Sequence, residues 1–308
     1  MVRTIQRRPV SRPRAPARRL PPWIRVRVPA SGLPSAVDAL LAAGRLHTVC
    51  QSAHCPNEAE CFGRGTATFL ILGDVCTRRC GFCAVRGGRP APPEPGEPRR
   101  VAEAAAALRL RHVVVTSVTR DDLPDGGAAA FAATIRALRA ALPRATLEVL
   151  TPDFGGDAAA LGVVLAAGPD VFNHNLETVR RLQARIRPQA DYARSLAVLR
   201  AAAAWRPRPL VKSGLMLGLG ERGSEVSAAL RDLRAAGCDA LTLGQYLAPS
   251  PAHAPVARFV PPAAFEAWRR RALALGFTAV AAGPLVRSSY HAGELLGAAQ
   301  PGRAKGRV

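Results

Sequence analysis

The run Asp74-Val75-Cys76-Thr77-Arg78-Arg79-Cys80-Gly81-Phe82-Cys83 decides how this chain is read. Its C-x3-C-x2-C spacing lets three thiolates converge from one backbone turn on a single iron–sulfur cube, a cofactor that soft thiolate ligands select. No fourth cysteine stands nearby, so one iron of such a cube is left open. An open metal position beside three protein ligands is a chemical site, because structural sites saturate their metal. A second triad, Cys50, Cys55 and Cys61, lies just upstream, so six of the seven cysteines fall within 34 positions.

Three other uses of these thiols compete with cluster ligation. Structural zinc wants four ligands and would have to borrow His54 or His47. Disulfides want an oxidising compartment, and no apolar signal core of roughly 7–15 residues occurs near the N-terminus. Ordinary buried thiols rarely crowd in this way, so cluster ligation is preferred.

Outward from the cysteines the chain alternates apolar, β-branched runs with alanine-rich runs of helical period. Strands are expected over 68–72, 112–118, 146–151, 171–174, 211–217 and 240–246. Helices are expected over 101–110, 127–142, 157–167, 192–205 and 224–236, the last opening on a Ser224 cap and ending at Gly237. A proline-rich connector occupies 87–98, and a last helix (261–276) and strand (278–285) follow. Strands and helices alternating in this way specify an α/β fold with a parallel sheet covered by helices, here a partial (β/α)6 TIM-type barrel with N- and C-terminal extensions. Four regions are expected: an Arg/Pro-rich arm and entry helix (1–45), an auxiliary cysteine segment (46–65), the partial barrel (66–250), and a closing helix, strand and segment (251–308). Active sites of such sheets lie at the C-terminal strand ends, and Cys76 to Cys83 directly follow the first strand.

Composition excludes several classes. The formal charge is +21, but the bases are nearly all arginine, with only Lys212 and Lys305 as lysines, and aromatic residues make up 5 %. Without aromatics interleaved in a basic stripe to stack bases, a nucleic-acid partner is not expected. The excess charge is suited instead to an acidic protein partner. No apolar run approaches the roughly 18 residues of a membrane span. The first acidic residue is Asp38, and nine arginines precede it. Pro9, Pro13, Pro16, Pro21 and Pro22 would break the amphipathic helix of a mitochondrial transit peptide, so a soluble cytoplasmic protein is expected.

Further phrases narrow the reading: Leu46-His47-Thr48-Val49-Cys50, Cys55-Pro56-Asn57, Arg120-Asp121-Asp122-Leu123, Asp170-Val171-Phe172-Asn173-His174-Asn175-Leu176-Glu177, Gly214-Leu215-Met216-Leu217-Gly218-Leu219-Gly220-Glu221, Gly244-Gln245-Tyr246-Leu247 and Arg287-Ser288-Ser289-Tyr290-His291. With the C-x3-C-x2-C and C-x4-C-x5-C triads, they resemble the lipoyl synthase family of radical S-adenosylmethionine enzymes, from about Pro21 to His291. The resemblance implies two [4Fe–4S] clusters. One would be held by Cys76, Cys80 and Cys83 and would bind S-adenosylmethionine on its open iron. The other, auxiliary cluster would be held by Cys50, Cys55 and Cys61, with Ser289 as the fourth ligand. By the same resemblance, an adenosyl radical abstracts hydrogen from C6 and then C8 of a protein-bound octanoyl chain, and the auxiliary cluster supplies the sulfur.

The implied partners are an octanoylated lipoyl-domain protein (a 2-oxo acid dehydrogenase E2 subunit or glycine cleavage H protein), a one-electron donor such as flavodoxin or ferredoxin, and an iron–sulfur carrier for cluster repair. Alternatives are another radical sulfur inserter, biotin-forming or methylthiolating, and a non-catalytic cluster carrier or RNA-binding protein. Ser289 rather than Ser288 is expected at the auxiliary iron, because adjacent side chains of an extended segment point opposite ways.

For S-adenosylmethionine itself, Thr116 and Ser117 are candidates for the methionyl amino group and Asn175 and Glu177 for the ribose hydroxyls. Gly214 and Gly218 would let backbone approach the adenine. His174 and Cys238 read as core residues.

Overall fold

The computed structural model describes residues 20–25, 33–52, 55, 57–290 and 292–299. Most of the arginine-rich arm, and His54, lie outside them. Eight strands form one sheet whose spatial order is the chain order: β1 (His47–Thr48), β2 (Thr66–Ile71), β3 (His112–Ser117), β4 (Thr146–Leu150), β5 (Val171–Asn173), β6 (Leu210–Leu217), β7 (Ala240–Gln245) and β8 (Ala279–Gly283). β1 runs antiparallel to β2, and every other neighbouring pair is parallel. Among the described residues the first and last strands do not pair, so the barrel is partial.

Helices fill the crossovers: α3 (Glu97–Ala107), α4 (Ala128–Ala141), α5 (Ala158–Ala166), α6 (Tyr192–Ala204), α7 (Gly223–Ala235) and α8 (Pro262–Ala274). Ahead of the barrel lie α1 (Leu33–Ala43) and α2 (Glu58–Gly63), and behind it α9 (Ala292–Ala299). Chemistry sets the helix starts. Asp157 accepts the N–H groups of Ala159 and Ala160 at the head of α5 (2.8 and 3.3 Å), and Asp191 accepts that of Arg194 (2.7 Å). The Ser224 cap expected for α7 is not used: the helix begins one residue earlier, and the Glu225 carboxylate accepts the Arg222 N–H (2.7 Å). The two-residue strand β1 went unexpected, being too short to show a period.

Side chains alternate across each strand. One face, with Phe69, Val113, Val115, Val149, Phe172, Val211 and Leu215, is packed under the helices in the main apolar core. The other face lines the barrel and is small or polar: Glu148, Asn173, Lys212, Gly214, Thr242 and Gly244. A separate apolar cluster of Val171, Leu210, Ala240 and Ala279 near the strand starts takes in Leu295 of α9. The C-terminal helix thus stops the lower end of the barrel, and the upper end is left to the loops.

Candidate functional site

The loop carrying Cys76, Cys80 and Cys83 is pinned from several directions. Val75–Cys76 pairs with Arg86–Gly87 as a two-residue parallel ladder. The Thr77 N–H donates to the Thr119 carbonyl (3.0 Å), that of Gly81 to Ile186 (2.8 Å), and that of Ala254 to Gly81 (2.8 Å). His253 pairs with the Cys83 carbonyl (2.9 Å), and the Gln189 side chain accepts the Arg79 N–H (2.8 Å). Beneath the loop, buried Arg78 bonds Asp121 with two nitrogens (2.8 and 2.7 Å) and Asp153 with one (2.8 Å). Burial alone would raise the Asp153 carboxyl, but Arg78 holds it below the ordinary range.

The Cys76 sulfur accepts backbone N–H groups from Arg78 (3.4 Å) and Thr119 (3.3 Å), which fix its direction. Burial pushes the other two thiols up, Cys83 to about 11, and Cys76 and Glu177 add to the effect in both. Two thiols raised in this way become thiolates together only beside a cation.

Facing this loop, the backbone after β5 bulges. His174 N–H still bonds the Lys212 carbonyl (3.2 Å), and pairing with β6 resumes only at Glu177, whose N–H meets the Gly214 carbonyl (2.9 Å) and whose carbonyl accepts the Met216 N–H (2.8 Å). Glu177 sits at φ 67°, a conformation costly for a residue with a side chain and concentrated at functional sites. The bulge re-aims Asn175 and Glu177, whose side chains bond each other (3.1 Å). Burial raises the Glu177 carboxyl against the pull of Arg187 and Asn175.

Gly214 and Gly218 are needed for packing within the protein. A Cβ at Gly214 would stand 2.6 Å from Thr242 Oγ1 and 2.8 Å from Asn175 Oδ1, and one at Gly218 would strike the Gln245 amide and the Arg258 carbonyl. The Thr116 hydroxyl donates to the Leu150 carbonyl (2.8 Å), whereas the neighbouring Ser117 hydroxyl is buried without a partner. Thr151 Oγ1 and His174 Nε2, just past strand ends, and Arg187 Nε, at the end of a short helix, are likewise buried and unpaired. Burial lowers His174 to about 4 with Arg187 assisting, so the ring is neutral. A set of orphaned donors and acceptors beside a thiol loop fits a zwitterionic, hydroxyl-rich ligand such as S-adenosylmethionine.

The first triad is assembled by two short helices. Cys50 lies in Val49–Ser52 and Cys61 in α2, with the Cys55 N–H bonded to the Cys50 carbonyl (2.8 Å). The Cys50 thiol donates to Cys55, which raises Cys50 and lowers Cys55, the Asn57 N–H and the Arg287 charge lowering it further. Two sulfurs paired in this way hold one proton between them and give it up only to a cation. Among the described residues no three His, Cys, Asp or Glu side chains surround a single ion site. A cube differs in spreading its thiolates over separate irons.

The segment 285–290 closes over this triad. Asn57 Nδ2 donates to the Leu285 carbonyl (2.7 Å), Arg287 is half-buried in the field of Cys55, and the Tyr290 hydroxyl meets Glu60 (3.3 Å) close to Cys61. Gly244 makes room, since a Cβ there would collide with the Val286 carbonyl. The segment is a turn, with the Tyr290 N–H bonded to the Arg287 carbonyl (3.0 Å), so the extended-chain argument for choosing between Ser288 and Ser289 does not apply. Ser289 stands between the two residues that meet the triad. Ser288 points to the barrel: its hydroxyl accepts from Asn173 Nδ2 (2.8 Å) and donates to Asn175 Oδ1 (3.1 Å).

Below, Asn173 also donates to Glu148 (3.0 Å), which is buried with Lys212 (2.9 Å) and His112 (3.2 Å). Cys238 is buried in the main core, as expected.

Sequence reasoning missed Arg78, Arg187, Asp153 and Ser288. Arg78 alone left a signal, a basic residue inside a ligand loop. Its partners lie 43 and 75 residues away, beyond any local pattern.

The fold and loop define a class. Residues 70–242 match the model of the radical SAM superfamily. The crystal structure of Streptococcus suis SuiB bound to S-adenosylmethionine shares the fold, with a TM-score of 0.52 at 9 % identity over 70 % of this chain and 49 % of that one. Closer relatives are far more alike. The lipoyl synthase of Methylococcus capsulatus is 59 % identical over 91 % of this chain and 87 % of its own length, that of Nitratidesulfovibrio vulgaris 58 % over 90 and 93 %, and that of Thermus thermophilus 56 % over 92 and 88 %. The chain belongs to the lipoyl synthase family of radical S-adenosylmethionine enzymes.

Proposed function

We propose that the chain inserts two sulfur atoms, at C6 and C8, into an octanoyl group attached to a lysine of a lipoyl carrier domain, forming the lipoyl cofactor. The observation that carries this reading is the turn 285–290, which meets the Cys50/Cys55/Cys61 loop on one side and the Asn175–Glu177 side of the barrel mouth on the other. Cys76, Cys80 and Cys83 would hold the [4Fe–4S] cluster that, with S-adenosylmethionine, supplies the 5′-deoxyadenosyl radical. Cys50, Cys55, Cys61 and Ser289 would hold the auxiliary [4Fe–4S] cluster that supplies sulfur.

The protein's own groups do the positioning. Ser117, Thr151 and the Asn175–Glu177 pair would bind the amino and hydroxyl groups of the cofactor, with Arg187 beside its carboxylate, and the turn with α9 would keep water and stray hydrogen donors out. A linear, lysine-borne acyl chain suits entry at the upper end of the barrel, since α9 stops the lower end. The carrier is read as a 2-oxo acid dehydrogenase E2 subunit or glycine cleavage H protein. Flavodoxin or ferredoxin would deliver the electron, and an iron–sulfur carrier would rebuild the spent auxiliary cluster, all in the cytoplasm. Among the described residues no helix is long and apolar enough to cross a membrane.

The test is anaerobic turnover of reconstituted protein with reductant, S-adenosylmethionine and an octanoylated lipoyl-domain peptide, followed by mass spectrometry. Two added sulfurs are expected, and deoxyadenosine formed without sulfur incorporation would overturn the reading.

A further inference from the structure

The sequence gives Ser288 no role, and the structure gives it the only hydrogen bonds among those described that run from the 285–290 turn into the interior of the barrel. The Ser288 hydroxyl both accepts and donates, which fixes its direction. It accepts from Asn173, whose amide is oriented by Glu148 at 3.0 Å, and it donates to Asn175, whose amide in turn donates to Glu177 at 3.1 Å. The Ser288 proton goes to Asn175 and its oxygen takes a proton from Asn173, so the hydroxyl acts as a keyed joint between two side-chain pairs. Asn175 is itself tightly seated, its oxygen lying where a Gly214 Cβ would be. Glu177 is within the field of Cys80 and Cys83, while Arg287 and Tyr290, on either side of the serines, are within those of Cys55 and Cys61.

We propose that Ser288 is a positioning residue that latches the C-terminal turn to Asn173 and Asn175, and that through it occupancy of the Asn175–Glu177 side steadies Ser289 over the Cys50/Cys55/Cys61 site. This rests on the functional reading above for what the two sides bind. The latch itself rests on hydrogen bonds alone. Removing the hydroxyl leaves Asn175 Oδ1 without its donor, and a buried acceptor so orphaned favours opening of whatever had covered it.

Hydrogen–deuterium exchange of peptides covering 284–290 tests this in the iron-reconstituted protein, with and without S-adenosylmethionine. The reporting amides are Val286 and Tyr290, bonded to the Gly283 and Arg287 carbonyls. In the parent protein S-adenosylmethionine should protect them. In Ser288→Ala exchange should quicken about tenfold, the loss of one or two hydrogen bonds, and the cofactor should no longer slow it. Ser288→Thr, which keeps the hydroxyl, should restore both effects. In turnover, Ser288→Ala should form several times more deoxyadenosine per lipoyl group than the parent. Unchanged exchange in Ser288→Ala, or a Ser288→Thr protein as open as the alanine variant, overturns the latch. Because exchange does not depend on product, faster exchange in Ser288→Ala supports the latch even if the parent makes no lipoyl group, an outcome that would overturn only the functional reading.

Discussion

Two adjacent serines are proposed to do different work, and neither is told from the other by residue type. Ser289→Ala should keep most of the iron and the cleavage of S-adenosylmethionine yet yield little or no lipoyl product. Side-by-side counts of deoxyadenosine and lipoyl peptide check this, and full lipoyl formation would remove Ser289 from the auxiliary site. The cysteines make a coarser prediction. Parent protein should bind about eight irons. Replacing Cys76, Cys80 and Cys83 by alanine should halve that number and abolish cleavage. Replacing Cys50, Cys55 and Cys61 should also halve it, leaving cleavage but not sulfur insertion. Iron analysis and electron paramagnetic resonance of the two triple variants decide it, and loss of all iron from both would refute separate clusters. The two cysteine loops were legible because tight cysteine spacing is a local pattern. Arg187 and Asp153 were not, since a buried charge declares itself only through partners distant in sequence.

At the scale of elements, the parallel strands β2 to β8 and the six crossover helices were legible from apolar runs and alanine-rich periods, with ends displaced by at most four residues. The displaced ends have causes: α3 starts at Glu97, inside the proline-rich connector, because proline is tolerated in a first turn. The barrel lining was not legible, because Glu148, Lys212 and His112 break apolar runs that otherwise read as fully buried strands. Removing one member of that group should be worse than removing two. Lys212→Met leaves a buried carboxylate short of its cation and should cost about 3–5 kcal/mol, while Glu148→Leu with Lys212→Met should recover much of the loss. Anaerobic denaturant titrations of the single and double variants measure the coupling.

The same group sets an acid limb. Burial would raise Glu148, but Lys212 and His112 hold it near 2, below its ordinary 4.5. Its stabilisation is therefore complete above about pH 4.5 and lost as pH falls toward 2. Stability of Glu148→Gln should be the flatter over that range, and parallel acid limbs would show that other carboxylates dominate.

Over the whole molecule the charge of +21 is the largest unassigned quantity. Many of its arginines are spent internally: Arg78, Arg139, Arg181, Arg194 and Arg208 all have carboxylate partners. If the remainder steers an acidic lipoyl domain, association should slow as ionic strength rises from about 10 to 150 mM, because the screening length shrinks from roughly 30 to 8 Å. Stopped-flow rates across that range test it, and a salt-independent rate would make the arginine excess compositional. The contact of Asn57 with Leu285 bears on how the protein is made. Those residues are separated by 228 positions, so a nascent chain exposes its first cysteine loop on the order of 10–50 s before the covering turn leaves the ribosome. Over that interval the thiols stand open to oxygen and to stray zinc. A chain translated while iron and sulfide are scarce is therefore expected to yield a smaller competent fraction, read as iron bound per chain.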